Sequence, residues 1–286
     1  MKTRLGFDLF LCIGGTLVLL RLFDVNPWTL PILDLHAYWT THDAINYVGS
    51  NPFLIGSYLY APAFAQVIYP LTALPWPVFA ATWTLLMVAV YVWLVGRWAF
   101  RLLFSVAVAL ELYLGQIDIF IAAAIVVGFR YPAVWAFPLL TKIAPGVGLI
   151  WFLVRKEWRN LAIAIAATVG IAALSAIFAP EAWRSWFELL RHSVTDRQPE
   201  GAYLPIPVLL RLPIGVAIIV WGARTNRRWT VPIGVVLSMP ILWVNVFTIL
   251  IAIIPLRREM GWTPAGAWLE DSRPTQSPAL VRAEPG

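Results

Sequence analysis

Long apolar stretches, separated by short connectors that carry basic residues, make up most of this chain. The first stretch runs from about Phe7 to Phe23 and follows Lys2 and Arg4. An apolar stretch of this length enters a bilayer, and basic flanking residues favour the cytoplasmic side. The pattern predicts a polytopic membrane protein with a cytoplasmic N-terminus and an uncleaved first span.

The apolar segment from Tyr58 to Gly96 is interrupted by prolines. It therefore forms either two spans or one re-entrant segment followed by one span. The basic residues Arg97 and Arg101 come next and favour the second version, because basic connectors belong on the cytoplasmic side. A further span is predicted from about Leu161 to Phe178.

Three later apolar segments have basic residues at both ends and polar residues near the middle. The polar interruptions are Gly115-Gln116-Ile117-Asp118, Lys142-Ile143-Ala144-Pro145 and Trp243-Val244-Asn245. If all the basic ends are cytoplasmic, each segment goes outward and returns, and the three interruptions converge beside the first outer loop. Half-segments of roughly 10 to 13 residues cover only about 15 to 20 Å, so we expect broken or re-entrant helices that reach a shared cavity.

Polar segments complete the domain organisation. Residues 24–57 are predicted to form a large first extracytoplasmic loop, residues 180–205 a second one, and residues 262–286 a disordered cytoplasmic tail. The membrane domain is therefore predicted to cover residues 1–261. Apolar residues recur at helical spacing in the second loop, which is typical of an interfacial amphipathic helix: Trp183, Trp186, Phe187 and Leu190.

The composition agrees with a membrane protein. Hydrophobic residues make up 60% of the 286 residues and charged residues 13%, and the mean hydropathy is +0.76. Soluble domains carry about 25% charged residues. The formal charge of +6 comes from basic residues scattered between apolar segments, which indicates topogenic charge and no nucleic-acid partner.

Sequence motifs for nucleotide, serine-hydrolase or zinc chemistry are missing from the chain. His36, His42 and His192 are too irregularly spaced for a metal site, and we interpret them as interface or substrate-contacting residues. We therefore expect no cofactor, although a divalent ion at Asp34 and Asp43 stays open. A hydrophobic, lipid-linked substrate fits these surroundings better than a soluble nucleotide.

Ionisable residues within apolar sequence are costly in a membrane, so each of them is a candidate functional residue. Asp118 and Lys142 lie amid apolar residues, and either they pair with each other or they act on a substrate. Glu111 could pair in the same way. Asp34 and Asp43 belong to the first outer loop, where a carboxylate costs little.

Several short motifs follow one another in a characteristic order. The first loop and the segment after it contain Asp34-Leu35-His36-Ala37-Tyr38, Gly49, Asn51-Pro52-Phe53, Tyr58-Leu59-Tyr60-Ala61-Pro62, Pro70-Leu71 and Leu74-Pro75. The later motifs are Gly115-Gln116-Ile117-Asp118, Lys142-Ile143-Ala144-Pro145, Arg155-Lys156-Glu157-Trp158-Arg159 and Met239-Pro240-Ile241-Leu242-Trp243. In their order and spacing, these motifs resemble glycosyltransferase family 87 over about residues 34 to 250.

This resemblance implies an all-α, polytopic transmembrane helical bundle of the C-type glycosyltransferase kind. Members take a sugar, typically mannose, from a polyprenyl phosphate outside the cytoplasm. For this chain it implies a polyprenyl-phosphate-linked sugar donor, a lipid or glycan acceptor, and the plasma membrane of a prokaryote, with the active site facing outward. The chain departs from the family at Asp118, where members carry Asn, and at Asn245, where they often carry His, and it is short.

The resemblance also suggests roles for individual residues. Asp34 matches the family's first-loop aspartate and is the candidate general base, with Asp43 as the alternative. Lys142 is the candidate for stabilising the departing phosphate, with Gln116 as a hydrogen-bond donor. The other candidates bind the donor phosphate or the sugar, although the aromatic ones also suit membrane-interface anchors: Asp118, His36, Tyr38, Trp39, Tyr58, Tyr60 and Asn245.

Two other functions fit parts of the pattern. A transporter or flippase of a lipid-linked substrate would also use broken helices with polar residues at mid-depth, but the chain shows no convincing inverted repeat. A degenerate, non-catalytic membrane subunit would fit the short chain and the departures from the family. The enzyme hypothesis requires that Asp34, Gln116 and Lys142 face one outward cavity.

Overall fold

The computed structural model describes residues 33–45, 47, 50, 57–193 and 206–258. Every regular element in these ranges is helical, and none of them is a strand. The prediction of an all-α fold is therefore confirmed. The predicted first span, from Phe7 to Phe23, and the predicted tail, residues 262–286, lie outside the described residues.

Short helices alternate with tighter turns along the chain. The described α-helices are α1 Leu33–Trp39, α2 Pro62–Thr72, α3 Trp76–Val95, α4 Ala99–Leu103, α5 Val106–Leu114, α6 Asp118–Gly128, α7 Ala136–Thr141, α8 Ile150–Val154, α9 Trp158–Phe178, α10 Pro180–Ser193, α11 Val208–Arg224, α12 Thr230–Ser238 and α13 Ile253–Arg258. The 3₁₀ helices between them are Thr40–His42, Gly96–Trp98, Pro132–Trp135, Ala144–Leu149 and Val244–Ala252.

Two of the described helices are long and apolar enough to cross a membrane. One is α3 with its continuation, over Trp76–Leu103, and the other is α9, over Trp158–Phe178. Helices α5 and α6 form a third candidate, which is broken and bent by 107° between Val106–Leu114 and Asp118–Gly128. The 21 residues of α9 extend about 31 Å, which matches the thickness of a hydrocarbon core.

The helices resolve the segment from Tyr58 to Gly96 into one short and one long element. Helix α2 has only 11 residues, or about 16 Å, which is too short to cross a bilayer. Its last turn contains Pro70, and Pro75 precedes α3, so the chain turns between them. These lengths agree with the version of one short segment followed by one span.

All three predicted interruptions are breaks between helices. Helix α5 ends at Gly115, whose φ of +70° closes the helix in the left-handed conformation. Helix α7 ends before Lys142, and a 3₁₀ helix starts at Ala144. Helix α12 ends before Met239, and a short segment with bends at Pro240 and Ile241 separates it from the 3₁₀ helix that begins at Val244.

The first predicted loop contains a helix that was not expected, and the second contains the expected one. Helix α1 lies within the first predicted loop. Its side chains Leu35, Ala37 and Tyr38 are buried against the rest of the bundle, which stabilises the helix. The amphipathic helix predicted in the second loop is present as α10. Its buried face differs from the predicted one, since Leu189 is buried while Phe187 is 51% exposed.

The helical segments connect two different ends of the bundle. The cavity end contains the three breaks and these polar residues: Asp34, Glu111, Gln116, Asp118, Lys142 and Asn245. The arginine end contains the basic connectors: Arg97, Arg101, Arg130, Arg155, Lys156, Arg159, Arg224, Arg227, Arg228, Arg257 and Arg258. Helix α6, for example, starts at Asp118 at the cavity end and stops next to Phe129 and Arg130 at the arginine end.

Candidate active site

A cavity of about 350 Å³ lies where the breaks meet. Its polar lining consists of Asp34, Ser57, Tyr60, Gln116, Thr141, Lys142 and Asn245. The apolar lining comes from several elements and includes Leu59, Leu114, Ile143, Trp186, Leu190, Met239, Pro240 and Trp243. A mainly apolar pocket of this size with a few convergent polar groups is typical of a small-molecule site.

Gln116 holds the carboxylate of Asp34 in the cavity wall. Its side-chain nitrogen Nε2 donates a hydrogen bond of 2.6 Å to Oδ2 of Asp34. Its oxygen Oε1 accepts from the hydroxyl of Tyr60 at 3.1 Å and from that of Tyr38 at 3.5 Å. Because two hydroxyls bind the amide oxygen, the amide nitrogen is directed at the carboxylate.

The two tyrosines act as hydrogen-bond donors at any physiological pH. Burial raises the pKa of both Tyr38 and Tyr60 well above the ordinary value, and for Tyr38 the neighbouring Tyr60 and Asp34 act in the same direction. The two hydroxyl oxygens are 3.0 Å apart. Their protons stabilise the orientation of Gln116 and, through it, that of Asp34.

Glu111 organises the turn between α5 and α6. It is fully buried, and its oxygen Oε1 accepts from the backbone N–H groups of Asp118 and Ile119 at the start of α6. These N–H groups have no partner inside the helix, and a carboxylate is favoured at a helix N-terminus. Oxygen Oε2 of Glu111 accepts from Nδ2 of Asn245 at 3.0 Å.

Asp118 links all three breaks. Its carboxylate is fully buried; Oδ1 lies 2.6 Å from Nζ of Lys142, and Oδ2 accepts from Nδ2 of Asn245 at 3.3 Å. The pairing of Asp118 with Lys142, which the sequence left open, is therefore present. Among the described residues that line the cavity, Lys142 is the only cation, and its side chain is 21% exposed.

The predicted site residues fall into three groups. The structure brings five of them together in the cavity wall: Asp34, Tyr60, Gln116, Lys142 and Asn245. Two others, Tyr38 and Asp118, lie behind that wall and bind its members. Asp34, Gln116 and Lys142 therefore line the same cavity.

The remaining candidates lie outside the cavity. His36 packs between Trp39 and Trp76, at ring distances of 5.6 and 5.2 Å. Tyr58 donates its hydroxyl hydrogen to the carbonyl of Ala61, and together with Asp43 it borders a different cavity. Their predicted contact with the sugar, and the alternative role of Asp43 as base, therefore have no support from this placement.

Asp43 lies at the surface, beside a cavity that Asp34 does not line. Its side chain is 80% exposed, and it lies 3.2 Å from Nε2 of His42. Within the described ranges, no three His, Cys, Asp or Glu side chains form a group that could hold a metal ion.

One part of the cavity wall and one of its supports were not predicted. Helix α10 contributes Trp186 and Leu190, and Nε1 of Trp186 donates to the carbonyl of Leu59 at 3.0 Å. The sequence showed only that this helix has an apolar face. The wall segment around Pro240 is held by Arg211, as its three hydrogen bonds show.

Arg211 is a buried arginine, with 4% of its surface exposed. Its guanidinium donates to the carbonyls of Ile206, Leu237 and Pro240 at 2.7, 2.9 and 3.1 Å. The sequence did contain a signal for the role of Arg211. It is an arginine near the start of an apolar helix, and a charge at such a position is costly unless it has a role. Its hydrogen bonds explain the bend between α12 and the cavity wall.

A helical membrane protein with a carboxylate, an amide and an ammonium around one apolar cavity has the groups that a group-transfer enzyme needs. The chain matches the model of glycosyltransferase family 87 over residues 58–269, and it belongs to this family. It is a membrane glycosyltransferase, as the resemblance in the sequence predicted. The match includes Gln116, Lys142 and Asn245 but starts after Asp34. No curated protein and no solved structure matches the chain.

Proposed function

We propose that the protein transfers a hexose, with mannose as the expected sugar, from a polyprenyl-phosphate donor to a lipid or glycan acceptor. The reaction takes place on the extracytoplasmic side of a prokaryotic plasma membrane. The observation that carries the proposal is the shared cavity of Asp34, Gln116 and Lys142. A C-type glycosyltransferase bundle would place such a cavity within reach of a lipid-linked donor. Membership of family 87 supports the reaction class.

Asp34 is the proposed general base. During transfer, the acceptor oxygen bonds to the anomeric carbon of the sugar, its proton passes to Asp34, and the bond from that carbon to the phosphate oxygen breaks. The hydrogen bond from Gln116 to Oδ2 of Asp34 orients the carboxylate for this proton transfer. A carboxylate held in one orientation loses less freedom when it acts as a base.

Lys142 is the proposed partner of the leaving phosphate. The donor carries a phosphodiester with one negative charge, and the departing polyprenyl phosphate gains a second one. The ammonium of Lys142 has three N–H donors. One of them binds Asp118, and the others can donate to a phosphate oxygen. A fixed cation in a poorly hydrated cavity stabilises such a developing charge.

The apolar part of the cavity wall supports a lipid-linked donor. Leu59, Leu114, Ile143, Leu190 and Met239 border the cavity beside the polar residues. A polyprenyl chain, unlike a nucleotide, gains from contact with such side chains. No cofactor forms part of the proposal; a loss of activity in chelator that manganese or magnesium restores would require a metal step.

The test is sugar transfer in membranes that contain the full-length protein, with membranes lacking it as background. Radiolabelled polyprenyl-phosphate mannose is the donor, and labelled products are separated by thin-layer chromatography. We expect Asp34→Asn to lower the initial rate about 100- to 10,000-fold, the range for loss of a general base. Asp43→Asn, the matched control outside the cavity, keeps the rate near that of the wild type.

The outcomes separate the competing functions. Undiminished transfer by Asp34→Asn would remove Asp34 from the role of base. Donor binding by the wild type without any transfer would favour the degenerate, non-catalytic subunit. Movement of intact labelled donor between leaflets without product would favour a flippase, and transfer from polyprenyl-phosphate glucose alone would correct the sugar.

A further inference from the structure

Contacts at the arginine end join basic residues from distant parts of the chain into one surface. A guanidinium N–H of Arg258 donates to the carbonyl of Val95 at 3.0 Å, which brings the ends of α13 and α3 together. An N–H of Arg155 donates to the carbonyl of Ala223 at 3.1 Å, which does the same for α8 and α11. The basic connectors therefore lie side by side.

Aromatic rings continue this surface between the connectors. Arg228 lies 5.2 Å from the ring centre of Phe129, and Arg257 lies 4.5 Å from that of Trp229. The rings of Phe129 and Trp151 are 5.4 Å apart, which links the end of α6 to α8. Each guanidinium on a ring is held in place by the attraction between its charge and the ring face.

The surface has a strong excess of positive charge. Among the described residues, Glu157 is the carboxylate that lies within it, and this carboxylate is 2.7 Å from Arg155. Other members are exposed, among them Lys156, Arg159 and Arg224. A concentration of exposed cations with one carboxylate attracts anions.

Exposed aromatic residues at the same end indicate which anion it meets. Large apolar side chains stand beside the basic ones: Phe100 is 75% exposed, Trp158 58%, Tyr131 55% and Trp221 45%. A soluble polyanion would leave these rings in water. Rings of this kind prefer the boundary between lipid tails and head groups, where the neighbouring cations reach lipid phosphates.

We propose that the arginine end is a binding surface for the head groups of anionic phospholipids in the leaflet on that side. The guanidinium and ammonium groups bind the lipid phosphates, and the exposed rings occupy the boundary beneath them. Lipid binding at this end stabilises the packing of α3, α8, α11 and α13, whose ends meet there. The surface is separate from the cavity, so the proposal does not depend on the reaction.

The test uses the purified full-length protein in a neutral detergent. Its apparent melting temperature is followed while phosphatidylglycerol is added, with phosphatidylcholine and inorganic phosphate as separate arms. The test variant is Arg159→Gln/Arg224→Gln, since both residues are exposed. The matched control is Arg184→Gln/Arg191→Gln on α10, which removes the same charge from exposed positions at the cavity end.

We expect phosphatidylglycerol, and not phosphatidylcholine, to raise the melting temperature of the wild type and the control. The test variant should need about thirty times more phosphatidylglycerol for half of the effect, because each of the two basic residues near an anionic surface contributes about fivefold. Equal responses of the test and control variants would overturn the proposal. It would also be overturned if inorganic phosphate alone reproduced the shift, because the surface would then bind phosphate without a lipid.

Discussion

The cavity end and the arginine end of the bundle use charge in opposite ways. At the cavity end, Glu111, Asp118, Lys142 and Asn245 are largely buried and bind one another from different breaks of the chain. At the arginine end, the cations are mostly exposed, and several rest on an aromatic ring close by in sequence, as Arg130 does on Tyr131. Removal of one buried group leaves partners without hydrogen bonds, whereas an exposed cation is replaced by water.

The comparison also explains why each end suits its proposed role. A buried, mutually bonded network holds side chains in one geometry, which chemistry requires. An exposed, charged and aromatic surface adapts to mobile lipid head groups without a fixed arrangement. Paired substitutions at the two ends therefore test whether the difference is real.

Within the buried network of the cavity end, the largest effect is expected at Lys142. Lys142→Met should lower the transfer rate about 100- to 1,000-fold if the ammonium stabilises the leaving phosphate. It should also destabilise the protein, because Asp118 is left buried without its cation. The double variant Lys142→Met/Asp118→Asn removes both charges and should recover stability without recovering activity. Recovery of both in transfer assays and melting curves would show that the ion pair is purely structural.

Two carboxylates provide the next comparison. Glu111→Gln should cost about 2 to 3 kcal/mol of unfolding free energy, because both carboxylate oxygens accept hydrogen bonds and the NH2 group that replaces one of them cannot. Glu157→Gln at the arginine end should cost less than about 1 kcal/mol, since its pair with Arg155 is partly exposed. Similar losses for both variants in denaturation experiments would contradict the distinction between the ends.

Two arginines extend the test to cations. Arg211→Gln should cost about 2 kcal/mol, because three backbone carbonyls lose their donor and the wall at Pro240 is released. Arg227→Gln should cost only about 0.5 kcal/mol, the typical value for an exposed guanidinium over a ring such as Trp221. Thermal unfolding in lipid-free detergent measures both. A greater loss from Arg227→Gln would reverse the comparison.

Two glycines with positive φ compare backbone strain at the two ends. Gly115 has a φ of +70°, and an added Cβ would lie 2.7 Å from Cβ of Leu35, next to Asp34. Gly115→Ala should therefore cost about 1 to 2 kcal/mol and also lower the transfer rate. Gly96 has a φ of +56°, but its added Cβ would meet only the movable end of Arg258, at 3.3 Å.

Gly96→Ala consequently serves as the control for strain without damage to the site. It should lower the melting temperature and leave the transfer rate per folded protein unchanged. The measurement is activity normalised to folded protein. A matching loss of activity in both glycine variants would mean that strain alone, at either end, impairs the enzyme.

Much of the fold was predictable because the bilayer imposes a local rule. A polar group amid apolar sequence must be satisfied inside the protein, so the positions of Asp118, Lys142 and Asn245 along the chain are enough to mark the three breaks. Helix α9 was predictable for a simpler reason, because its length and its apolar composition alone indicate a span. The helix within the first loop was missed, because the burial of Leu35 and Tyr38 depends on elements elsewhere in the chain.

The sequence by itself determined that this protein lies in a membrane, where its apolar segments break, and which polar residues are candidates for chemistry. Only the tertiary structure decided which of these residues meet. Gln116 reaches Asp34 over 82 positions, and Asn245 reaches Glu111 over 134. The physical reason is that lipid penalises each unsatisfied polar group wherever it occurs, whereas the partner that satisfies it depends on the packing of the whole bundle.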